Sequence, residues 1–173
     1  MVYRSVVSNL YTNIGVGGIF NSLVNAGIIH PTGVSVIPYI SSAAAGLGDY
    51  ARKSPFDSAQ ATGHRVSLSN FKVQVGGTTV LQSTLFYCYE QFTQQVNLAE
   101  QFTSSDFGVS AGEFSQDFWQ WCNVERSALA DKKQLRNVTV KLNNNSNVAI
   151  DVLIFIFYSD ELTIDAETGV VTK

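Results

Sequence analysis

The last third of the chain, from Leu135 to Asp165, constrains the fold more than any other stretch. Residues Val138 to Leu142 alternate between apolar and polar, which is the period of a strand with one buried and one wet face. The Asn- and Ser-rich segment Asn143–Asn147 has the composition of a turn. A second strand follows from Val148 to Tyr158, and its second half is apolar on both faces, so both faces should be covered. We predict a long antiparallel hairpin in the middle of a β-rich core.

The first 61 residues are less regular. Residues 1–30 mix glycine with apolar side chains, which fits either a short helix on the core or an arm that packs on a neighbour or on lipid. Val34–Ile40 is strand-like, but Pro38 has no amide proton for a sheet ladder, so we expect an edge or bulged position. Ser41–Ala61 is rich in Ser, Ala and Gly, and we expect a long excursion between core elements.

The middle of the chain predicts a second hairpin and a helix. Alternating residues flank Gly76–Gly77, a strong hairpin signal. From Leu85 to Ala99 apolar residues recur at helical spacing, so a helix of about four turns should lie across one end of the barrel, with its glutamines in solvent. Phe118–Val124 is interpreted as a strand with bulky side chains on both faces. A last turn is expected near Gly169, between two short strands.

These segments amount to about eight short strands and one or two short helices. The strands do not alternate regularly with helices, which disfavours an α/β fold. A length of 173 residues fits one domain with a sizeable core. We therefore predict an all-β fold, a single jelly-roll barrel or sandwich spanning residues 1–173.

Charge and cysteine content narrow the function classes. Only 14% of the residues are charged and the net charge is −3, so the chain lacks the basic footprint of a nucleic-acid-binding protein, and we expect no direct sequence-specific binding. Weak self-repulsion suits a surface that neighbours cover, although a neutral soluble domain has the same composition. Cys88 and Cys122 lie among aromatic residues. We expect two buried free thiols, and a single bridge between them stays open.

One catalytic motif is matched, but the residues that should follow it are missing. Gly108–Gly112 matches G-x-S-x-G around Ser110, which in hydrolases marks a nucleophile on a strained turn. That chemistry requires an acid and then a histidine further along the chain, whereas His30 and His64 both precede Ser110. Neither histidine has Cys, Asp or Glu at ligand spacing. We predict a glycine-punctuated loop here and no metal site.

Carboxylate pairs and aromatic platforms are the remaining candidates. No spacing selects a glycosidase pair among five acidic residues, which are Asp49, Asp57, Asp106, Glu113 and Asp117. Phe118, Trp119 and Trp121 offer faces on which sugars or bases stack, but no basic groove accompanies them, so packing in the core or in a subunit interface is the better interpretation. We predict no catalytic residue, no cofactor and no metal ligand.

Three stretches carry a resemblance to a known family. These are FKVQVGGTTVLQ at 71–82, YEQF at 89–92, and LRNVTVKLNNNSNVAIDVLIFIFYSDELTID at 135–165. In this order they resemble the jelly-roll major capsid proteins of tailless icosahedral phages with an internal membrane. Many members carry two barrels in one chain, whereas this chain has room for one. That points to the branch with two separate single-barrel capsid proteins, of which this chain is similar to the smaller.

The resemblance implies a structural protein of the virion and no enzyme. A capsid protein of this family implies self-association as a homodimer, a second major capsid protein as partner, and possible contact with the internal viral membrane. The alternative that the residues leave open is a carbohydrate- or receptor-binding β-sandwich that uses Trp119 or Trp121. An esterase based on Ser110 is a third hypothesis.

Overall fold

The computed structural model describes residues 2–41, 67–83, 87–98, 110–111, 114, 120–124, 134–164 and 171–172. Its elements are β1 Val2–Ile14, β2 Ile19–Ile29, β3 Pro31–Ile40, β4 Leu68–Val75, β5 Thr78–Ser83, α1 Tyr89–Asn97, β6 Gln120–Asn123, β7 Leu135–Asn144, β8 Ile150–Glu161, β9 Thr163–Ile164 and β10 Val171–Thr172. Within this part of the chain, no helix is long and apolar enough to cross a membrane.

The first eight strands form two four-stranded antiparallel sheets. Sheet A has the order β1-β8-β3-β6 and sheet B the order β2-β7-β4-β5. The pairs β1·β8, β2·β7, β3·β6 and β4·β5 are nested, as if one long hairpin of eight strands were rolled up so that β8 also meets β3 and β7 also meets β4. This is the connectivity of a jelly roll, so the predicted fold class is confirmed. β9 and β10 form a separate two-stranded sheet.

The core lies between the two sheets and follows from the period-2 pattern of the inner strands. On β7 every second residue from Val138 to Leu142 is fully buried, as predicted. On β8 the same holds for Val152, Ile154 and Ile156. Strands in the middle of each sheet can bury one complete face against the other sheet, which is why these residues have 0% exposure.

The predicted hairpin of the last third is wrong in its pairing. β7 and β8 are consecutive strands, but β7 pairs with β2 and β4 in sheet B while β8 pairs with β1 and β3 in sheet A. The connection therefore crosses from one sheet to the other. The outer face of β8, with Leu153, Phe155 and Phe157, is half-buried within the described part of the chain rather than covered. An Asn-rich turn of suitable length favours a chain reversal, but it does not decide in which sheet the next strand lies.

Residues 2–30 form two strands of the sandwich and not the short helix or arm that the sequence suggested. β1 pairs with β8 and β2 pairs with β7, over nearly their whole lengths. β3, expected at an edge or bulge because of Pro38, instead lies inside sheet A. The pairing of β6 with β3 covers only Gly33 to Val36, so Pro38 lies beyond the end of β6 and its missing amide proton breaks no described ladder on that side.

The predicted β4–β5 hairpin is confirmed, with both turn glycines, Gly76 and Gly77, at positive φ. The helix exists but is shorter than predicted: α1 has nine residues, and residues 84–86 and 99–100 lie outside the described part. Its glutamines do not form one solvated face. Only Gln94 is exposed, while Gln91 and Gln95 accept hydrogen bonds from the sheets.

The remaining predictions are divided. Both cysteines are free, and Cys122 is buried as expected, but Cys88 is exposed at the start of α1, so the expectation of two buried thiols is wrong for that residue. The short strands expected on either side of Gly169 are present and pair with each other, and the predicted turn between them lies outside the described residues. The excursion after Ser41 and the first part of the Phe118–Val124 strand lie outside the described residues.

Candidate functional site

The two sides of the sandwich where the sheets end are built differently. On one side, sheet A ends at β6 and sheet B ends at β5, and α1 bridges them. The Gln95 Oε1 atom accepts a hydrogen bond from the backbone amide of Asn123 on β6 at 3.1 Å. The Ser83 hydroxyl of β5 donates to Gln91 Oε1 at 3.2 Å. With Phe92 and other side chains of α1 buried beneath it, this side is closed by a helix.

On the opposite side, sheet A ends at β1 and sheet B ends at β2. Each of these strands pairs on one side only within the described part of the chain, β1 with β8 and β2 with β7. They are long for edge strands, with 13 and 11 residues. A long edge strand presents a row of backbone donors and acceptors that another chain can pair with. We call this side, formed by β1, β2 and the turn between them, the open edge.

Exposed apolar side chains are concentrated at the open edge. Among the described residues eight large apolar side chains are exposed, and seven of them lie on β1, on β2, in the turn between them, or beside β2 on β7: Val6 50%, Leu10 47%, Val16 63%, Ile19 67%, Leu23 51%, Ile29 45% and Leu135 64%. The eighth, Leu98, follows α1. Single exposed apolar residues are normal on a protein surface, whereas a group confined to one edge marks an interaction surface.

On sheet A the apolar surface continues inward from the edge. Val6 is in register with Phe157 of β8, and Leu10 is in register with Leu153. Between them, Ser8 is in register with Phe155. These residues share the outer face of the sheet, because the side chains of directly paired residues point the same way.

The outer face of sheet B is polar on the strands next to its edge strand β2, namely β7 and β4. Leu23 of β2 is in register with Thr139, and Ile19 is in register with Asn143. One strand further in, Lys141 of β7 faces Lys72 of β4. Apolar exposure in sheet B is therefore confined to β2 and to Leu135 at the start of β7.

Buried polar side chains fix the tip of the open edge. Asn144 has 0% exposure, and its Nδ2 donates to the carbonyl oxygens of Ile14 at 3.1 Å, Gly15 at 3.0 Å and Val148 at 2.9 Å. From the other sheet, Asp151 Oδ1 accepts a hydrogen bond from the backbone amide of Asn13 at 2.8 Å. Both anchors flank the β7–β8 connection, so the sheet crossing also positions the β1–β2 turn.

Contacts between the two edge strands complete this arrangement. The rings of Tyr11 on β1 and Phe20 on β2 meet edge to face, with centroids 4.8 Å apart. Gly17 has φ of +67°, a conformation that glycine adopts without strain, and the Gly18 amide donates to the Gly15 carbonyl oxygen at 2.9 Å. The open edge is thus a defined surface held by side chains from both sheets.

The motif residues singled out in the sequence do not form a site in the described part of the chain. Ser110 is exposed, and its carbonyl oxygen accepts a hydrogen bond from the Phe114 amide at 2.8 Å, which makes it part of a helical turn. Gly108 and Gly112 lie outside the described residues. His30 lies between β2 and β3 with φ of +50°, and His64 is outside the described part.

The described residues provide no arrangement of side chains that supports a carboxylate pair or a metal site. All five candidate carboxylates lie outside the described residues: Asp49, Asp57, Asp106, Glu113 and Asp117. Among the residues that are described, no three His, Cys, Asp or Glu side chains are grouped as metal ligands. Burial raises the pKa of the Cys122 thiol well above its usual range, so this sulfur stays protonated near neutral pH.

Of the three aromatic residues considered for a stacking platform, Trp121 is among the described residues. Trp121 has 1% exposure; its ring lies against Gly33, where an added Cβ would come within 2.5 Å of it, and its centroid is 5.3 Å from that of Phe157. The Tyr87 hydroxyl donates to the Trp121 carbonyl oxygen, and burial raises the pKa of that tyrosine. Trp121 is therefore buried, as the sequence favoured, and offers no face to a sugar. It lies on the outer face of sheet A, because it is in register with Ser35, which is in register with Phe155. Phe118 and Trp119 lie outside the described residues.

The sequence did not reveal the open edge, because both faces of β1 mix polar and apolar residues. The inner face carries Tyr3 and Asn9, while Val6 and Leu10 point outward. The usable signal was β-branched and aromatic enrichment in residues 2–14, with a glycine-rich turn after it. No protein-family model matches this sequence, and a search of curated proteins finds no relative.

Proposed function

We propose that the chain is a structural protein of a viral capsid that assembles with copies of itself through the open edge. The observation that carries the proposal is the asymmetry of the sandwich. One side is closed by α1, whereas the other presents two long strands that each pair on one side only within the described part of the chain, together with seven exposed apolar side chains. A surface of this composition is stable in water when neighbouring subunits cover it.

The size of the open edge supports self-association. At about 3.3 Å per residue, the 13 residues of β1 extend over roughly 40 Å. Two sheets packed about 10 Å apart, with their outer side chains, make the edge roughly 20 Å thick. The product, about 800 Å², is what each partner contributes to a stable protein–protein interface. A homodimer through this edge is therefore of ordinary size.

The wider assembly follows from the resemblance of the three quoted stretches to capsid proteins. It adds a second major capsid protein as partner, an icosahedral shell in the virion, and possible contact with an internal membrane. Jelly rolls also occur in lectins, so the fold by itself does not choose between a shell protein and a sugar-binding module. The carbohydrate-binding alternative now rests on Trp119 alone, because Trp121 is buried.

The test of the shell function is sedimentation of lysate from the source culture through a density gradient, with the chain located by mass spectrometry. We expect comigration with DNA, lipid and one other abundant capsid-sized protein. Recovery only near the top of the gradient, as a free monomer or dimer, would contradict a shell role and favour a binding module. Ser110→Ala should leave the gradient position unchanged, whereas an esterase would lose its activity.

The test of the open edge is a charge placed on it. Leu10→Asp and Leu23→Asp each put a carboxylate on a half-exposed edge position and should weaken self-association at least tenfold, because a desolvated charge opposes burial. Leu98→Asp is the matched control, since Leu98 is the exposed leucine on the other side of the fold. Sedimentation equilibrium gives the dissociation constants. Equal effects of all three substitutions would contradict the assignment of the edge.

A further inference from the structure

The two sheets of the sandwich carry formal charges of opposite sign, although the net charge of the whole chain is only −3. The four strands of sheet B contain no Asp or Glu and three cationic residues, Lys72, Arg136 and Lys141. The four strands of sheet A contain one cation and three carboxylates, Arg4, Asp151, Asp160 and Glu161. Sheet B is therefore the positive side of the described fold.

Two of these cations lie side by side in the middle of the outer face of sheet B. Lys141 on β7 is in register with Lys72 on β4, and the row ends in two side-chain amides, Asn21 on β2 and Gln82 on β5. Like charges directly opposite each other destabilise a sheet. Neither lysine takes part in an ion pair or a side-chain hydrogen bond within the described part of the chain. The fold itself gains no electrostatic stabilisation from this pair.

We infer that the outer face of sheet B binds an acidic surface of a different protein, with Lys72 and Lys141 paired to carboxylates of that partner. The inference rests on the proposed shell function, and it gives the surface and the chemistry through which the second capsid protein is bound. Carboxylates placed over the two lysines offset their repulsion and supply the missing ion pairs. The amides of Asn21 and Gln82 provide hydrogen-bond donors at both ends of the row.

The face has the size and the composition for a protein partner. Four strands spaced about 4.8 Å apart make it roughly 19 Å wide, and the ten residues of β7 extend over about 33 Å. The product, roughly 600 Å², approaches what one partner contributes to a stable interface. Around the lysines the face carries uncharged polar side chains such as Thr139 and Gln74, which suits a contact directed by charge.

The described carboxylates of this chain do not match the lysine pair, so a second copy is not the partner. Asp151 is fully buried, Asp160 accepts a hydrogen bond from the Tyr3 hydroxyl at 2.9 Å, and Glu161 is the last residue of β8, at the end of sheet A. A nucleic acid is disfavoured as well, because two adjacent cations on a chain of net charge −3 neutralise few phosphates.

Carbodiimide cross-linking of the particles from the density gradient tests the inference. The reagent joins a lysine amine to a carboxylate with loss of water, so it links groups that are in contact. We expect Lys72 or Lys141 to be linked to an Asp or Glu of a different protein, identified by mass spectrometry of the linked peptides.

Three other results would overturn the inference and leave the shell function standing, because each is obtained with the chain inside the particle. A link from either lysine to a carboxylate of another copy would overturn the choice of partner. Lysines that still react with an amine-acylating reagent in the particle would show an uncovered face. Lysines that are protected but not linked would indicate phosphate groups of lipid or nucleic acid in place of carboxylates.

Charge reversal separates charge from shape. Lys72→Glu combined with Lys141→Glu should weaken binding of the cross-linked partner roughly tenfold or more, whereas Lys72→Arg combined with Lys141→Arg should retain it. Arg4→Glu is the control, since Arg4 lies on sheet A. Sedimentation of the full-length chain with the purified partner gives the dissociation constants, and the unsubstituted pair should bind more weakly as the salt concentration rises. Equal losses from the control and the double reversal would contradict docking on sheet B.

Discussion

Replacing Asn144, a small side chain with four hydrogen bonds, should lower the free energy of unfolding substantially. Its side chain is fully buried, its Nδ2 donates to three carbonyl oxygens at 2.9–3.1 Å, and its Oδ1 accepts from the Ser146 amide at 2.9 Å. Asn144→Ala removes these bonds; of the three carbonyl oxygens, that of Gly15 still accepts from the Gly18 amide. At about 1 kcal/mol for each lost bond, and more for groups that water cannot reach, we expect a loss of roughly 3–5 kcal/mol in the free energy of unfolding.

Urea denaturation followed by tryptophan fluorescence measures this loss, because Trp121 is buried in the folded state. With a slope of about 2 kcal/mol per M of urea, the midpoint should fall by roughly 2 M. The control is Asn145→Ala: the neighbouring asparagine is exposed, so this change should cost less than about 0.5 kcal/mol. Equal midpoints for the two variants would refute the assignment of Asn144 as the anchor of the β1–β2 turn.

Three further predictions concern packing and titration. Gly33→Ala should destabilise by about 1–3 kcal/mol because its Cβ would meet an indole ring at 2.5 Å, whereas Gly15→Ala, with open space around it, should be nearly neutral in the same urea assay. Ile154→Asp should prevent folding, since it buries an unpaired charge; a soluble variant with native circular dichroism would contradict the strand assignment. A thiol reagent should label Cys88 in the folded protein and Cys122 only after unfolding. The raised pKa of Cys122 means that the unfolded chain loses this proton first, so stability should fall as the pH rises above about 8.5.

The sequence predicted the inner faces of the sandwich well. Residues Val138 to Leu142 and Phe71 to Val75 alternate with period 2, and the structure buries their apolar members. The Gly76–Gly77 turn was predictable for the same reason, because both its chemistry and its flanking strands are local. A pattern of this kind states which side of a strand is buried, and it requires no knowledge of the partner strand.

Pairing partners and edges were not predictable in this way. The alternation on β8 says nothing about whether its neighbour is β7, 6 residues away, or β1, at the other end of the chain. The β1 and β2 strands bury little of their outer faces in the described fold, so their apolar residues follow no simple pattern. If a second copy covers Val6 and Leu10, the missing alternation has a physical cause: both faces of β1 are buried in the assembly.

The nested pairing of the strands also sets when the protein can fold. β1 pairs with β8, so the hydrogen bond between Tyr3 and Asp160 joins residues 157 positions apart. Sheet A therefore remains incomplete until nearly the whole chain has left the ribosome, which at about 5–20 residues per second takes roughly 10–35 s. During that time the apolar side chains of β1 stay exposed because β8 has not yet been made. Contacts between residues far apart in sequence also make folding slow. A cell that makes this protein in quantity must keep many nascent chains apart over that interval.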